Sequence, residues 1–134
     1  MNEIEERCDA IEECYEFMLA FAGKGLASDE GDQVRYHLER AAAALSGLAQ
    51  EFAAVVEAQR LKPPDKYHAF LAVLDRDARD SLAAVELVLA QSTISSQLID
   101  NLNASIHLRA LLTDIFLIDG ILAQQLKTES IPTG

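Results

Sequence analysis

From Ser95 to Lys127 the chain holds its longest and most apolar run with helical period, and a segment of that kind constrains everything that packs on it. Wound at about 3.6 residues per turn, Leu98, Leu102, Leu108, Leu112, Ile115, Phe116, Leu122 and Leu126 share one side, and Ile99, Ile106 and Leu117 widen it. Ser96, Asp100, Asn103, His107, Asp114 and Gln125 form the narrow strip left polar. A helix with a single pair of neighbours needs an apolar stripe a little over ~100° wide, whereas this one covers on the order of 200°. The spacing therefore predicts a central packing helix over 95–127, covered from several directions.

Three further stretches repeat the pattern. Ile4, Cys8, Ile11, Tyr15, Met18 and Ala22 predict a helix over 2–22, which Gly23-Lys24-Gly25 ends with a residue tolerant of left-handed geometry and a cation at the negative end of the dipole. Ser28 or Asp29 can cap a second helix over 31–60, whose seam is Val34, Leu38, Ala41, Leu45, Leu48, Phe52, Val55 and Gln59. Lys62-Pro63-Pro64 stops it, since a proline bars its predecessor from helical geometry and donates no amide. Asp65 can cap a third helix over 65–91, with Tyr67, Phe70, Leu71, Leu74, Ala78, Leu82, Val85 and Leu89 on its core side. Its outer side offers the surface pairs Asp75/Arg79 and Arg76/Asp80. Ser92-Thr93-Ile94-Ser95 is a turn rich in capping residues, and the tail after Lys127 is expected to fray. Four long helices with short connections predict an all-α, antiparallel up-down-up-down four-helix bundle that fills residues 1–134 as one domain. At 134 residues, half of them hydrophobic, such a domain needs no metal or disulfide staple.

The formal charge of −11 is concentrated early, where Glu3, Glu5, Glu6, Asp9, Glu12, Glu13 and Glu16 are opposed only by Arg7. Affinity for nucleic acid comes largely from Lys and Arg neutralising phosphates, so a surface of this sign argues against nucleic-acid and membrane-surface partners. The acidic N-terminus lacks a secretory pattern, and Asp114 and Asp119 interrupt the only segment approaching membrane-spanning hydropathy, so the expected location is cytoplasmic. Cys8 and Cys14 point roughly 240° apart on one helix and are expected to be reduced thiols, Cys8 on the seam and Cys14 nearer an accessible edge.

Gly23-Lys24-Gly25 lacks the spacing of a phosphate loop, and the residues 28–32 are too short for a calcium loop. The three histidines, His37, His68 and His107, lack the paired Glu-x-x-His motifs of a bundle di-metal site, so no metal and no cofactor is expected. No acid/base or nucleophile set converges, and no catalytic residue is assigned. The stretch His37-Leu38-Glu39-Arg40-Ala41 to Gly47 resembles the motif of histidine phosphotransfer domains, which are acidic four-helix bundles with an exposed histidine. That resemblance implies His37 as phosphoacceptor with a cation three residues on. Ala41 stands where that family has a glycine and Glu39 where it has an apolar residue, and both departures crowd or charge the ring's surroundings.

Asn101, Ser105, Arg109 and Asp119 fall on the apolar side of the last helix, where a buried charge costs several kcal/mol unless paired. With Leu112 and Phe116 they are the interface or pocket candidates. The expectation is a non-enzymatic protein-interaction module that forms a homodimer through its fourth helix. The alternatives are a phosphotransfer-like module using His37, or a small-ligand bundle with a pocket at Asn101, Arg109 and Asp119.

Overall fold

The computed structural model describes residues 3–130, with side chains through Gln125. These residues are all-α, in six helices: α1 (Glu3–Ala22), α2 (Val34–Leu45), α3 (Leu48–Ala58), α4 (Pro64–Leu89), α5 (Ser96–Ala104) and α6 (Ile106–Ser130). The expected count of four is corrected because the stretches 31–60 and 95–127 are each broken once. The last helix continues through Ser130, three residues into the tail expected to fray after Lys127; the side chain of Leu126, placed on the apolar side of the last helix, and residues 131–134 lie outside the described residues.

The first break is made by glycine and closed by arginine. Gly47 takes the left-handed conformation at φ 78°, and Ser46 before it is extended at ψ 114°. The turn leaves the last carbonyls of α2 without helical partners. Arg7, the lone cation of α1, answers them, with Nη1 donating to Ala44 O at 3.0 Å and Ser46 O at 2.6 Å. A cation at a helix C-terminus also opposes the negative end of the dipole. The second break is at Ser105, which is extended at ψ 140° and separates α5 from α6. A single helical wheel drawn across 95–127 loses its phase at that residue, and the expected faces of α6 are rotated as a result.

Several boundaries move for local reasons. The second helix begins at Val34 behind Gln33. Ser28 Oγ instead accepts the Glu30 N–H, and Asp29 is used elsewhere. Pro63 is the N-cap of α4 and Pro64 its first residue, where a missing N–H costs nothing, so Asp65 lies in the first turn. Ser95 caps α5 as its side chain accepts the Leu98 N–H at 3.1 Å.

The centre of the molecule is shared by α1, packed on α2 and α5, and α4, packed on α3, α6 and α2. The last helix, α6, rests mainly on α4, which corrects the central role expected for 95–127. Phe21, Phe52, Leu38, Leu74, Ile99 and Leu111 are fully enclosed, each contributing about 1.5–3 kcal/mol of burial. Cys14 is buried along with Cys8, not at an accessible edge. Burial pushes both thiols up to about 12, and Asp119 adds to the effect at Cys8, so both stay protonated and unreactive. Among the described residues no helix is long and apolar enough to cross a membrane.

Candidate functional site

The inner face of α6 is Leu108, Leu111, Leu112, Ile115, Ile118 and Leu122, all buried against the rest of the molecule. Its outer face carries three large apolar side chains in water: Ile106 at 73% exposure, Phe116 at 58% and Leu117 at 52%. Phe116 is therefore not part of the core, whereas Leu112 is. The predicted polar candidates do not converge. Asn101, on α5, and Arg109 and Asp119, on α6, are each exposed, and only Ser105 is half-buried at the joint between the helices. Arg109 and Asp119 are separated by about 15 Å of helix at 1.5 Å per residue, too far to line one small pocket with Asn101 on the other helix. Asp119 lies close enough to α1 to act electrostatically on Cys8 and Glu12.

The residues read as a solvent strip behave differently. Asn103 is buried with neither amide atom bonded, and Ser81 Oγ on α4 and Ser105 Oγ are enclosed without partners. Asp114 turns one oxygen, Oδ2, into the α4–α6 contact, where no N–H or O–H meets it. Burial, followed by the neighbouring Asp77 carboxyl, pushes Asp114 up to about 7. A proton held between the two carboxyls supplies the donor that the protein otherwise lacks. Nothing in the periodicity marks this pair, because the Ser105 break displaces the wheel.

His37 lies flat against Phe17, with ring centroids 4.2 Å apart, and Tyr36 meets its edge at 5.3 Å. Its Nδ1 is enclosed and unbonded. Arg40, the cation expected to offset a phosphate, is held by Glu13 at 2.8 Å. Among the described residues no group of three or more His, Cys, Asp or Glu side chains is placed to hold a metal ion.

One concave surface does combine apolar walls with free polar groups, and it starts at the turn from α3 to α4. Arg60 adopts a positive φ of 51°, the Arg60 N–H bonds Glu57 O, and the Leu61 N–H reaches back to Val56 O at 3.1 Å. This is the paired closure that usually has glycine at the left-handed position, with Leu61 buried behind it. The chain then passes through Lys62 and Pro63 into α4, whose first two turns present Lys66, Tyr67 and Phe70. Across from them α6 presents Leu117, Ile118, Ile121 and Gln125, and the two helices enclose a groove of about 410 Å³.

The cations of this groove belong to the half of the positive charge that meets no carboxylate among the described residues, a set that also includes the exposed Arg76 and Arg109 elsewhere on the surface. Arg7, Lys24, Arg35, Arg40 and Arg79 each meet a carboxylate within 3.1 Å. Lys62 and Lys66 meet none among the described residues, nor does nearby Arg60. Against a net charge of −11 this corner is a place where positive charge is left unspent. The groove was missed from sequence because it needs α4 and α6 side by side. The cluster of Arg60, Lys62 and Lys66 within seven residues was the available signal.

Comparison with protein-family models, with curated proteins and with solved structures gives no match to this chain.

Proposed function

We propose that the protein is a non-enzymatic helical interaction module that pairs with a second copy of itself through the outer face of α6. In this reading the α2–α3 and α5–α6 pairs each act as one jointed arm, so that with α1 and α4 the chain forms an antiparallel up-down bundle of four arms. The observation that carries it is the placement of Ile106, Phe116 and Leu117 together on the solvent side of one helix. Gly120 lies on the same side, and a side chain added there would meet no atom within 4 Å, so a partner helix can approach closely. Large exposed apolar side chains gathered on one face mark an interaction surface more often than scattered ones do. Acidic charge elsewhere argues for a protein partner over nucleic acid or anionic lipid, in keeping with a cytoplasmic role.

Light scattering coupled to gel filtration is expected to give a mass near twice 14.7 kDa. The double variant Phe116→Ser, Leu117→Ser is expected to give the single-chain mass with the helical signal retained, because both side chains are exposed. A single-chain mass for the unaltered protein across micromolar concentrations overturns the proposal.

A further inference from the structure

Beyond self-association, the α4–α6 groove has the composition of a ligand site. Its walls are apolar, from Phe70, Leu117, Ile118 and Ile121, and its volume of about 410 Å³ falls inside the roughly 300–1,000 Å³ range of small-molecule sites. Its polar groups are the Lys62 and Lys66 ammoniums and the Tyr67 hydroxyl around the start of α4, with the Gln125 amide across from them on α6; neither the ammoniums nor the hydroxyl has a side-chain hydrogen-bond partner among the described residues. A site with donors at one end and hydrocarbon along the other selects a molecule with an acceptor head and an apolar body. Two ammoniums without carboxylates further select a negative head, since a neutral one would leave their mutual repulsion uncompensated.

We infer that this groove binds a free single-chain amphipathic anion, a fatty-acid-like carboxylate. Its head lies between Lys62 and Lys66, and its chain runs along α6 over Leu117 and Ile121. The two lysines are exposed, so they reach over the groove on their own apolar stems and their heads stay hydrated until the carboxylate arrives. The carboxylate gains charge-assisted hydrogen bonds there. Its hydrocarbon chain is drawn in as methylenes leave water, so affinity rises with chain length until the groove is filled. A membrane does not substitute for the free molecule, because the acidic bulk of the protein is repelled from anionic lipid surfaces.

The test is calorimetric titration of the full chain with dodecanoate, kept below the concentration at which it self-associates. Dodecyltrimethylammonium and hexanoate serve as head and chain comparators. Saturable one-to-one binding of dodecanoate is expected, at least about tenfold tighter than either comparator and weakened about tenfold or more in Lys62→Glu, Lys66→Glu. Ile121→Trp, which fills the groove, is expected to abolish it. Phe116→Ser, which lies outside the groove, is expected to keep the affinity even where it breaks the dimer, so failure of one proposal is separable from failure of the other. Equal affinity for the cationic and anionic heads, binding unchanged by the lysine variants, or binding lost in Phe116→Ser overturns the inference. Flotation with phosphatidylserine vesicles is expected to leave the protein unbound; co-flotation that depends on Lys62 and Lys66 overturns the assignment to a free ligand.

Discussion

At one end of the molecule the α1–α2 connection meets the α4–α5 connection, and the polar side chains there are bonded across the gap. Asp29 accepts the Ile94 N–H at 2.8 Å and Arg35 Nε at 3.1 Å, and Arg35 in turn donates to the carbonyls of Leu89 and Gln91 at the end of α4. Ser96 Oγ donates to Phe21 O at 2.7 Å and accepts the Leu26 N–H at 2.8 Å. At the opposite end, where α3 turns into α4, the chain closes with backbone hydrogen bonds and two prolines, and Arg60, Lys62 and Lys66 are left over. Long irregular connections must find side-chain partners for their backbone groups, whereas a tight turn satisfies its own. Charged residues are thus committed to structure at the first end and left without carboxylate partners at the second.

The sharpest way to break that contrast is at Ser96. Ser96→Val removes both hydrogen bonds of the hydroxyl, leaving the part-buried Leu26 N–H without that partner while Phe21 O keeps the Lys24 N–H, and is expected to cost about 1–3 kcal/mol in denaturant unfolding; a loss under ~0.5 kcal/mol would mean the bonded end is not a structural clamp. Asp29→Ala is expected to fall in the same direction.

Acid and base should strain different regions. Hydrogen bonds from Ile94 and Lys24, respectively, hold Asp29 and Asp32 below the usual carboxylate range. Their contribution is present above the ordinary 3.8 and is lost as pH falls through their lowered values. Asp114 runs the other way: raised from 3.8 to about 7, it favours the fold fully below 3.8 and loses that contribution as pH rises through about 7. Thermal unfolding followed by circular dichroism is therefore expected to show a higher midpoint at about pH 5 than at about pH 8. Asp114→Asn is expected to remove most of that difference, by about 1–2 kcal/mol after allowing for solvent screening, or a few degrees. An unchanged slope in the variant would place the proton elsewhere.

Two smaller effects sharpen the account of the α3–α4 end. Arg60→Gly relieves a left-handed side-chain residue and is expected to stabilise by about 0.5–1 kcal/mol. Lys62→Ala and Lys66→Ala are expected to stay within about ±0.5 kcal/mol in urea unfolding, as suits groups held by no carboxylate; a larger loss would make them structural.

How far the sequence could be read follows the same division between local and long-range causes. The α1 seam of Ile4, Cys8, Ile11 and Met18 and the stop at Ala22 are decided by nearest neighbours, and periodicity found them, whereas Pro63-Pro64, read as the end of the preceding helix with Asp65 as the next cap, are the N-cap and first residue of α4. The break at Gly47 was missed because the glycine lies in an otherwise strong helical run, and its turn is closed by Arg7, distant in sequence. The break at Ser105 carries no glycine or proline at all. A wheel drawn without it turns Phe116 inward and sets Asn103 and Asp114 on the solvent strip; in the structure Phe116 is exposed, Asn103 is buried and Asp114 is half-buried. The groove was illegible because no local pattern says that Lys66 and Ile121 line one groove from two different helices.

The Ser105 joint also divides loyalties: α5 packs chiefly on α1, and α6 chiefly on α4. With the helical hydrogen-bond ladder interrupted between them, α6 can lift from α4 without unwinding α5. Native-state hydrogen exchange should then register the two helices as separate cooperative units, with the amides of α6 opening at lower free energy than those of α5. A helix that is hinged in this way can adjust its seat when something occupies the groove beneath its edge, while the clamp around Ser96 keeps the opposite end in register.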